Sequence, residues 1–256
     1  LKKIALIVPY YRNPLMLEYQ YEVWSKYSDD AKAVFEIIVV DDGSPEPAAD
    51  VRRMRDTPEL RIFRIDRDIE WNQHGARNLG AHEAQTTWLL MTDIDHVLTA
   101  EGADVIAAMD LSESDGNMFY TFPRVRIGKA DETRLKHAGN GEDAEAERVD
   151  VKPHINTFMV RRSVYWLSGG YDEDYCGCLC GDGEFVKRMK PLAETRLLEE
   201  PMLEVHTRHS VADANTTTLS RGKDQSAECR RRIRQKKLSG NTVPIKPMRF
   251  GWDRTF

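Results

Sequence analysis

Residues 89–98 read LLMTDIDHVL: three apolar residues and a threonine lead into Asp93 and Asp95, with one residue between them. A short apolar run of this kind is a buried strand, and the two acids fall at its carboxyl end. Two close carboxylates repel one another unless something relieves the charge between them. Solvent, a lysine or arginine, or a divalent cation would each do so. The choice depends on what else the chain brings to that strand end.

Working outward, Ile4 to Tyr10 is a second short apolar run, closed by Pro9, and reads as a buried parallel strand. Asn13-Pro14 is a helix start, a cap followed by proline at the first helical position. Met16, Tyr19, Val23 and Tyr27 then recur on one helix face. Phe35 to Val40 is another buried strand and ends in the turn Asp41-Asp42-Gly43-Ser44-Pro45. A weak helix is predicted around Val51 and Met54, a strand over Arg61–Ile65, and a helix over Gly75–Gln85. The strand Trp88–Thr92 and a helix over Ala103–Met109 follow. Alternation at this spacing means crossovers and a parallel sheet, in which ligands sit outside the carboxyl ends of the strands. Pro9 to Arg12, Asp41-Asp42 and Asp93 to Asp95 all fall at such ends and gather along one edge.

The second half is less regular. A strand is predicted over Asn117–Val125, a polar loop or insertion over Lys129–Asp150, and a strand over Ile155–Val160. A short helix over Val164–Leu167, the turn Gly169-Gly170 and a helix from Glu184 to Met189 come next. Leu197 to Val205 reads as the last strand, ending at His206. Ser220 to Leu238 is a basic helix or an arm without structure.

The 256 residues suit one large domain or two small ones. Hydrophobic residues at 41% and charged residues at 31% are ordinary for a globular protein with a sizeable core. The formal net charge of -5 argues against wholesale coating of nucleic acid but leaves room for a local basic patch. No apolar run approaches the length of a membrane span. Nothing after Leu1 reads as a secretory leader, and the start at leucine reads as a trimmed chain. Cys176, Cys178, Cys180 and Cys229 are too few for a disulfide-built fold of this size, which points to a reducing, cytoplasmic setting.

Five segments, LIVPYYRNP, IIVVDDGSPEP, NQHGARNLGA, LLMTDIDHVL and GGYDEDYCGCLCGDGEFVKRM, span residues 4 to 189 in one order. Together they resemble the GT-A glycosyltransferases, closest to the large family 2 group. The resemblance implies a Rossmann-like α/β fold, a mainly parallel sheet flanked by helices. Residues 1–110 would be the nucleotide-sugar-binding half and 111–218 the acceptor-binding half with the catalytic base. Residues 219–256 would be a basic C-terminal extension. The implied activity is metal-dependent transfer of a sugar from a nucleotide diphosphate, by default a UDP-sugar, to a hydroxyl acceptor with inversion.

The same resemblance implies the site. Pro9, Tyr11 and Asp42, with Asp41 beside it, would hold the nucleotide base. An aspartate can accept from the imide N–H of uracil. Asp42 could equally be a turn residue before Gly43, and Tyr11 plain core. Arg77 offers a planar fork to phosphate oxygens, or is a surface helix arginine; His74 reads as an exposed loop residue. Asp95 would take the metal, and Asp93 the ribose or metal-bound water. His206, with His209 as a substitute, matches a metal-binding histidine of many relatives or is structural. Carboxylates suit Mg²⁺, and imidazole favours Mn²⁺. The acid-rich motif at the catalytic base reads here as Gly181-Asp182-Gly183-Glu184. Asp182 falls on the base position, with Glu184 as understudy; its other reading is a helix cap. A helix amino end would lower its pKa.

Two features stay outside that scheme. Cys176, Cys178 and Cys180 alternate without the paired spacing of a zinc knuckle or a near fourth ligand, and read as small loop residues beside the acceptor cleft. Arg230 to Lys237 is a dense positive run. It is either a solvated face or a clamp on an anionic partner, so a nucleic-acid or lipid acceptor stays open. The rival readings are a haloacid-dehalogenase-like phosphatase, with Asp93 as nucleophile and Asp95 as acid, and a binding module without turnover. Against the phosphatase, two strand-helix units precede the motif, and His96 stands where that family has glycine. A sugar nucleotidyltransferase would want a glycine-rich loop after the first strand, which PYYRNP lacks.

Overall fold

The computed structural model describes residues 2–111, 117–130, 149–178, 180–200, 202–207, 225–240 and 248–256; the side chains of 126–130, 149–151, 205–207, 225 and 226 lie outside that description. Strand β1 (Ile4–Tyr10) is buried on both faces. Ile4, Leu6 and Val8 belong to one apolar layer, together with Leu17, Tyr21 and Trp24 of helix α1 (Pro14–Ser25). Ala5 and Ile7 belong to the other, with Ala76 and Leu79 of α3 (Gln73–Glu83). Two covered faces explain why the strand reads as a continuous apolar run rather than an alternation. A methyl group on Gly80 would lie 2.4 Å from the Ile7 side chain, so glycine sets how closely α3 approaches the sheet.

Strands β3 (Glu59–Ile65), β2 (Phe35–Asp41), β1 and β4 (Trp88–Met91) lie side by side and parallel. Beyond β4 come β9 (Phe158–Arg161), antiparallel to it, then β6 (Met118–Thr121) and β10 (Glu194–Leu197). Strand β12 (Trp252–Arg254) closes the opposite edge, antiparallel to β3. A second sheet orders β5 (His96–Val97), β11 (Met202–Thr207), β7 (Arg124–Ala130) and β8 (Val149–Val151). The fold is therefore the α/β arrangement expected, with a largely parallel central sheet flanked by helices.

Local chemistry explains the helix starts. The Asn13 side chain accepts from the Met16 amide at 3.3 Å, ahead of Pro14. Ser28 caps the unforeseen α2 (Asp29–Val34) at 3.1 Å, and Thr99 caps α4 (Ala100–Ala108) at 3.0 Å.

The structure corrects four sequence expectations. The helix around Val51 and Met54 is absent; a single 3-10 turn spans Ala48–Asp50. The Asp41 carboxylate accepts from the amides of Ser44 and Ala48, each at 2.8 Å, and fastens this segment as a loop. The strand over 117–125 is two, β6 and β7, divided at Phe122-Pro123. The strand over 197–205 is likewise two, β10 and β11. Both breaks mark the same crossing from one sheet to the other. The final residues form strand β12 rather than continuing a basic extension. Most of the polar stretch 129–150 lies outside the described residues. The basic run is helical, as α7 (Gln225–Leu238).

Candidate active site

The acids converge along the carboxyl edge of the parallel strands. Asp42 follows β2 and is buried; Asn72 Nδ2 donates to its Oδ1 at 2.8 Å. Burial raises its pKa to about 7; Asn72 pulls it down, while Asp68 and Asp41 push it further up. Asp41 is buried beside it, its oxygens taken by the turn amides and by Arg64 Nη1 at 2.6 Å. Tyr11 donates to Asp68 Oδ2 at 2.8 Å, and Pro9 is half-buried at the end of β1. The pairs Asn72–Asp42 and Tyr11–Asp68 thus lie where the base site was expected.

Asp93 follows β4 and meets Arg77, His154 and His96. Arg77 is fully buried on α3 and bonds Asp93 Oδ1, while its Nη1 donates to Gln73 Oε1 at 2.9 Å. His154 Nδ1 lies 3.1 Å from Asp93 Oδ2, and His96 Nδ1 is 4.0 Å away. Burial pushes the Asp93 carboxyl up, but Arg77, His154 and His96 together pull it well below the usual carboxylate range. An arginine therefore answers the repulsion at Asp93. The guanidinium faces that carboxylate instead of lying free as a phosphate fork.

Asp95 is held differently. Burial raises its pKa; His96 lowers it, whereas Asp93 and Glu204 raise it. No ion pair to Asp95 is seen among the described residues. The loop that carries it is clamped from α1, where Gln20 Nε2 donates to the carbonyls of Ile94 and His96, both at 3.0 Å. Ligand atoms of Asp93, His96 and His154 lie within 4.8 Å of one another. Burial lowers the His96 pKa even though Asp93 and Asp95 oppose it, which leaves the ring available as a neutral ligand. One carboxylate and two imidazoles, with the uncompensated Asp95 nearby, fit a divalent cation. Strand β11 pairs with β5 so that Glu204 stands opposite His96, two residues before His206. The side chain of His206, and all of His209, lie outside the described set.

After helix α5 (Arg162–Leu167), Asp182 opens helix α6 (Asp182–Met189), and its Oδ1 lies 3.0 Å from His74 Nε2. His74 is buried and stacks on Tyr171, with ring centroids 5.2 Å apart; the exposed loop position expected for it is corrected. The helix begins one residue after Gly181, whose φ is +110° and whose added methyl would lie 2.7 Å from the His74 ring. The imidazole thus fills the space that a side chain at 181 would need, which accounts for glycine there. Burial raises the Asp182 pKa, but His74 and then Arg77 outweigh it and hold the carboxyl below its usual range. Glu184 instead pairs with Lys187 at 2.5 Å on the helix surface. Asn78, one residue beyond Arg77, bonds the Tyr171 amide and carbonyl and Glu173 Oε1, each at 2.9 Å, locking α3 to the loop before Asp182.

Sequence reasoning missed His74, Asn72 and His154 as site residues. His154 carries no local signal, because it reaches Asp93 only through the pairing of β9 with β4. Asn72 and His74 lie within the NQHGARNLGA segment, whose likeness to relatives was the available signal.

A mostly parallel sheet with acids at its carboxyl edge, and a second sheet beginning just after Asp95, is the GT-A arrangement. Glycosyl transferase family 2 matches residues 6–177, and the chain belongs to that family. This membership sets the phosphatase reading aside. No curated protein matches the sequence. Among solved structures, S. aureus TarS residues 1–349 superposes with a TM-score of 0.58 at 15% identity, over 79% of this chain and 60% of that one. The mannosyltransferase PcManGT of Pyrobaculum calidifontis, in complex with GDP-Man and Mn²⁺, gives 0.54 at 14% identity, over 79% and 56%. The catalytic domain of Drosophila β1,4-galactosyltransferase 7 gives 0.55 at 14% identity, over 91% and 81%. The chain spans about three-fifths of the TarS segment. Among the described residues, no helix is long and apolar enough to cross a membrane.

Proposed function

We propose that this chain transfers a sugar from a nucleotide diphosphate donor, with a UDP-sugar favoured, to a hydroxyl acceptor with inversion. The carrying observation is that one helix, α3, reaches both acids: Arg77 bonds Asp93 Oδ1, and His74 Nε2 lies 3.0 Å from Asp182 Oδ1. The acid after the fourth strand and the acid at the start of α6 are therefore both anchored to α3. Complexes of TarS with UDP and with UDP-GlcNAc give the uridine reading its support.

In this reading Asp42 and Asn72 recognise the base edge, and Tyr11 and Pro9 border it. Asp93, oriented by Arg77, meets the ribose or the metal-bound water. Asp93, Asp95, His96, His154 and His206 are the groups that would hold Mn²⁺ or Mg²⁺. Once bound, the cation supplies positive charge opposite the diphosphate of the leaving nucleotide. Asp182 takes the proton from the acceptor hydroxyl as that oxygen attacks the anomeric carbon. His74 orients the Asp182 carboxylate and keeps it ionised. Gly183, with nothing within 4 Å of an added methyl group, leaves room beside it for the acceptor.

The test is Asp182→Asn. Transfer falls by about 10²- to 10⁴-fold while UDP binding is retained. Full activity in the variant removes Asp182 from its role. Binding of UDP with no transfer from any donor in the wild-type chain favours a non-catalytic module.

A further inference from the structure

The thiols of Cys178, Cys180 and Cys229 meet although they come from distant parts of the chain. Cys178 Sγ lies 2.9 Å from Cys180 Sγ, and all three sulfurs lie within 4.8 Å of one another. Cys178 is fully buried in the loop before Asp182, and Cys180 is half-buried two residues before it. Cys229 is half-buried and comes from α7. Cys176 stands apart, its thiol donating to Asn72 Oδ1 at 3.2 Å. The alternating spacing alone lacks a third convergent ligand, and α7 supplies it.

We infer that Cys178, Cys180 and Cys229 bind a zinc ion that fastens α7 to the loop preceding Asp182. Thiols are weak hydrogen-bond donors and acceptors, so three of them gathered together contribute little by themselves. Thiolates bind zinc tightly, and three with a water in the fourth position complete a tetrahedral site. Binding displaces three thiol protons, leaving zinc and three thiolates with a net charge of minus one. Burial raises the Cys178 thiol pKa, and Arg232, whose Nη1 donates to the Asp174 carbonyl at 2.9 Å and also to the Cys176 carbonyl, opposes it.

The site has a mechanical consequence. Lys236 reaches Asp172 and, at 3.0 Å, Asp174, so α7 is pinned to the loop one turn beyond Arg232. Zinc would add a second pin close to Asp182. This part of the basic run then serves as a brace rather than a clamp on an anionic partner.

Metal content of the full-length protein tests this directly. After dialysis into metal-free buffer, mass-spectrometric metal analysis should find one zinc per chain. Cys180→Ser and Cys229→Ser should lose it, whereas Cys176→Ser and Asp95→Ala keep it. Should the serine variants fail to fold, cobalt-loaded wild-type protein should still show thiolate-to-metal charge-transfer absorption in the near ultraviolet. Wild-type protein without zinc and without that absorption overturns the proposal. So does a Cys180–Cys229 disulfide found by mass spectrometry, or zinc retained by Cys229→Ser and lost by Asp95→Ala.

Discussion

His74 Nε2 lies 3.0 Å from Asp182 Oδ1 and joins the helix after the third strand to the helix that Asp182 begins. Removing the imidazole takes away the largest influence holding the Asp182 carboxyl low. The sign follows: a base with a depressed pKa is lost only at low pH, and His74→Ala moves that acid limb upward. The pH at which transfer begins to fall should rise by about one to two units, the worth of a hydrogen bond to a charged group. Recovery should follow as the pH rises, and His74→Gln, which keeps a donor, should restore part of the rate. A pH-independent loss in both variants would argue that His74 only packs.

Gly181 and Gly183 flank Asp182 and should respond oppositely. Alanine at 181 is forced into a left-handed backbone and against the His74 ring, so Gly181→Ala should cost about 1–2 kcal/mol or more. Alanine at 183 meets open space and, inside a helix, should change stability by about +0.5 to +1 kcal/mol. Urea melts of both variants decide the matter, and equal effects would contradict this account of the motif.

Asp42 gives the donor site a pH signature. With its pKa near 7, the carboxylate form that accepts from uracil grows between pH 6 and 8. UDP affinity should rise about tenfold over that interval from this group. Folding stability runs the other way, since a carboxyl raised on folding contributes most at low pH and loses that contribution as pH passes 7. In Asp42→Asn the pH slope of UDP binding, measured by calorimetry, should flatten. A slope that survives assigns the titration elsewhere.

Much of this was legible in the sequence. Strands β1, β2 and β4 are covered on both faces and leave unbroken apolar runs, and the Asn13-Pro14 pair marks its helix through its own hydrogen bond. The strand divisions were also marked, by Pro123 and Pro201, but two short stretches flanking a proline read as one strand when the second sheet is unknown. Asp42 and Asp93 each follow a strand and Asp182 begins a helix, so local pattern places all three. His154 and Cys229 could not be placed that way, because their partners are fixed only by pairing across the fold. His74 was misplaced because its burial depends on Tyr171 and Gly181, far along the chain.

Arg77, fully buried, and Asp93, partly exposed, form a pair whose halves should not be separable. Arg77→Met leaves Asp93 without its main counter-charge and should destabilise the fold by about 3–5 kcal/mol. Asp93→Asn in the same background should recover part of that loss. Strict additivity of the two substitutions in chemical denaturation would show that the pair is not coupled.

The central claim is that the cluster after the fourth strand holds a divalent cation against a uridine diphosphate, and calorimetry of UDP binding with and without Mn²⁺ tests it without knowledge of the acceptor. Wild-type protein should bind UDP at least tenfold more tightly with Mn²⁺, and Asp95→Ala and His154→Ala should lose that gain. Equal UDP affinity with and without the ion in the wild-type chain would contradict the account.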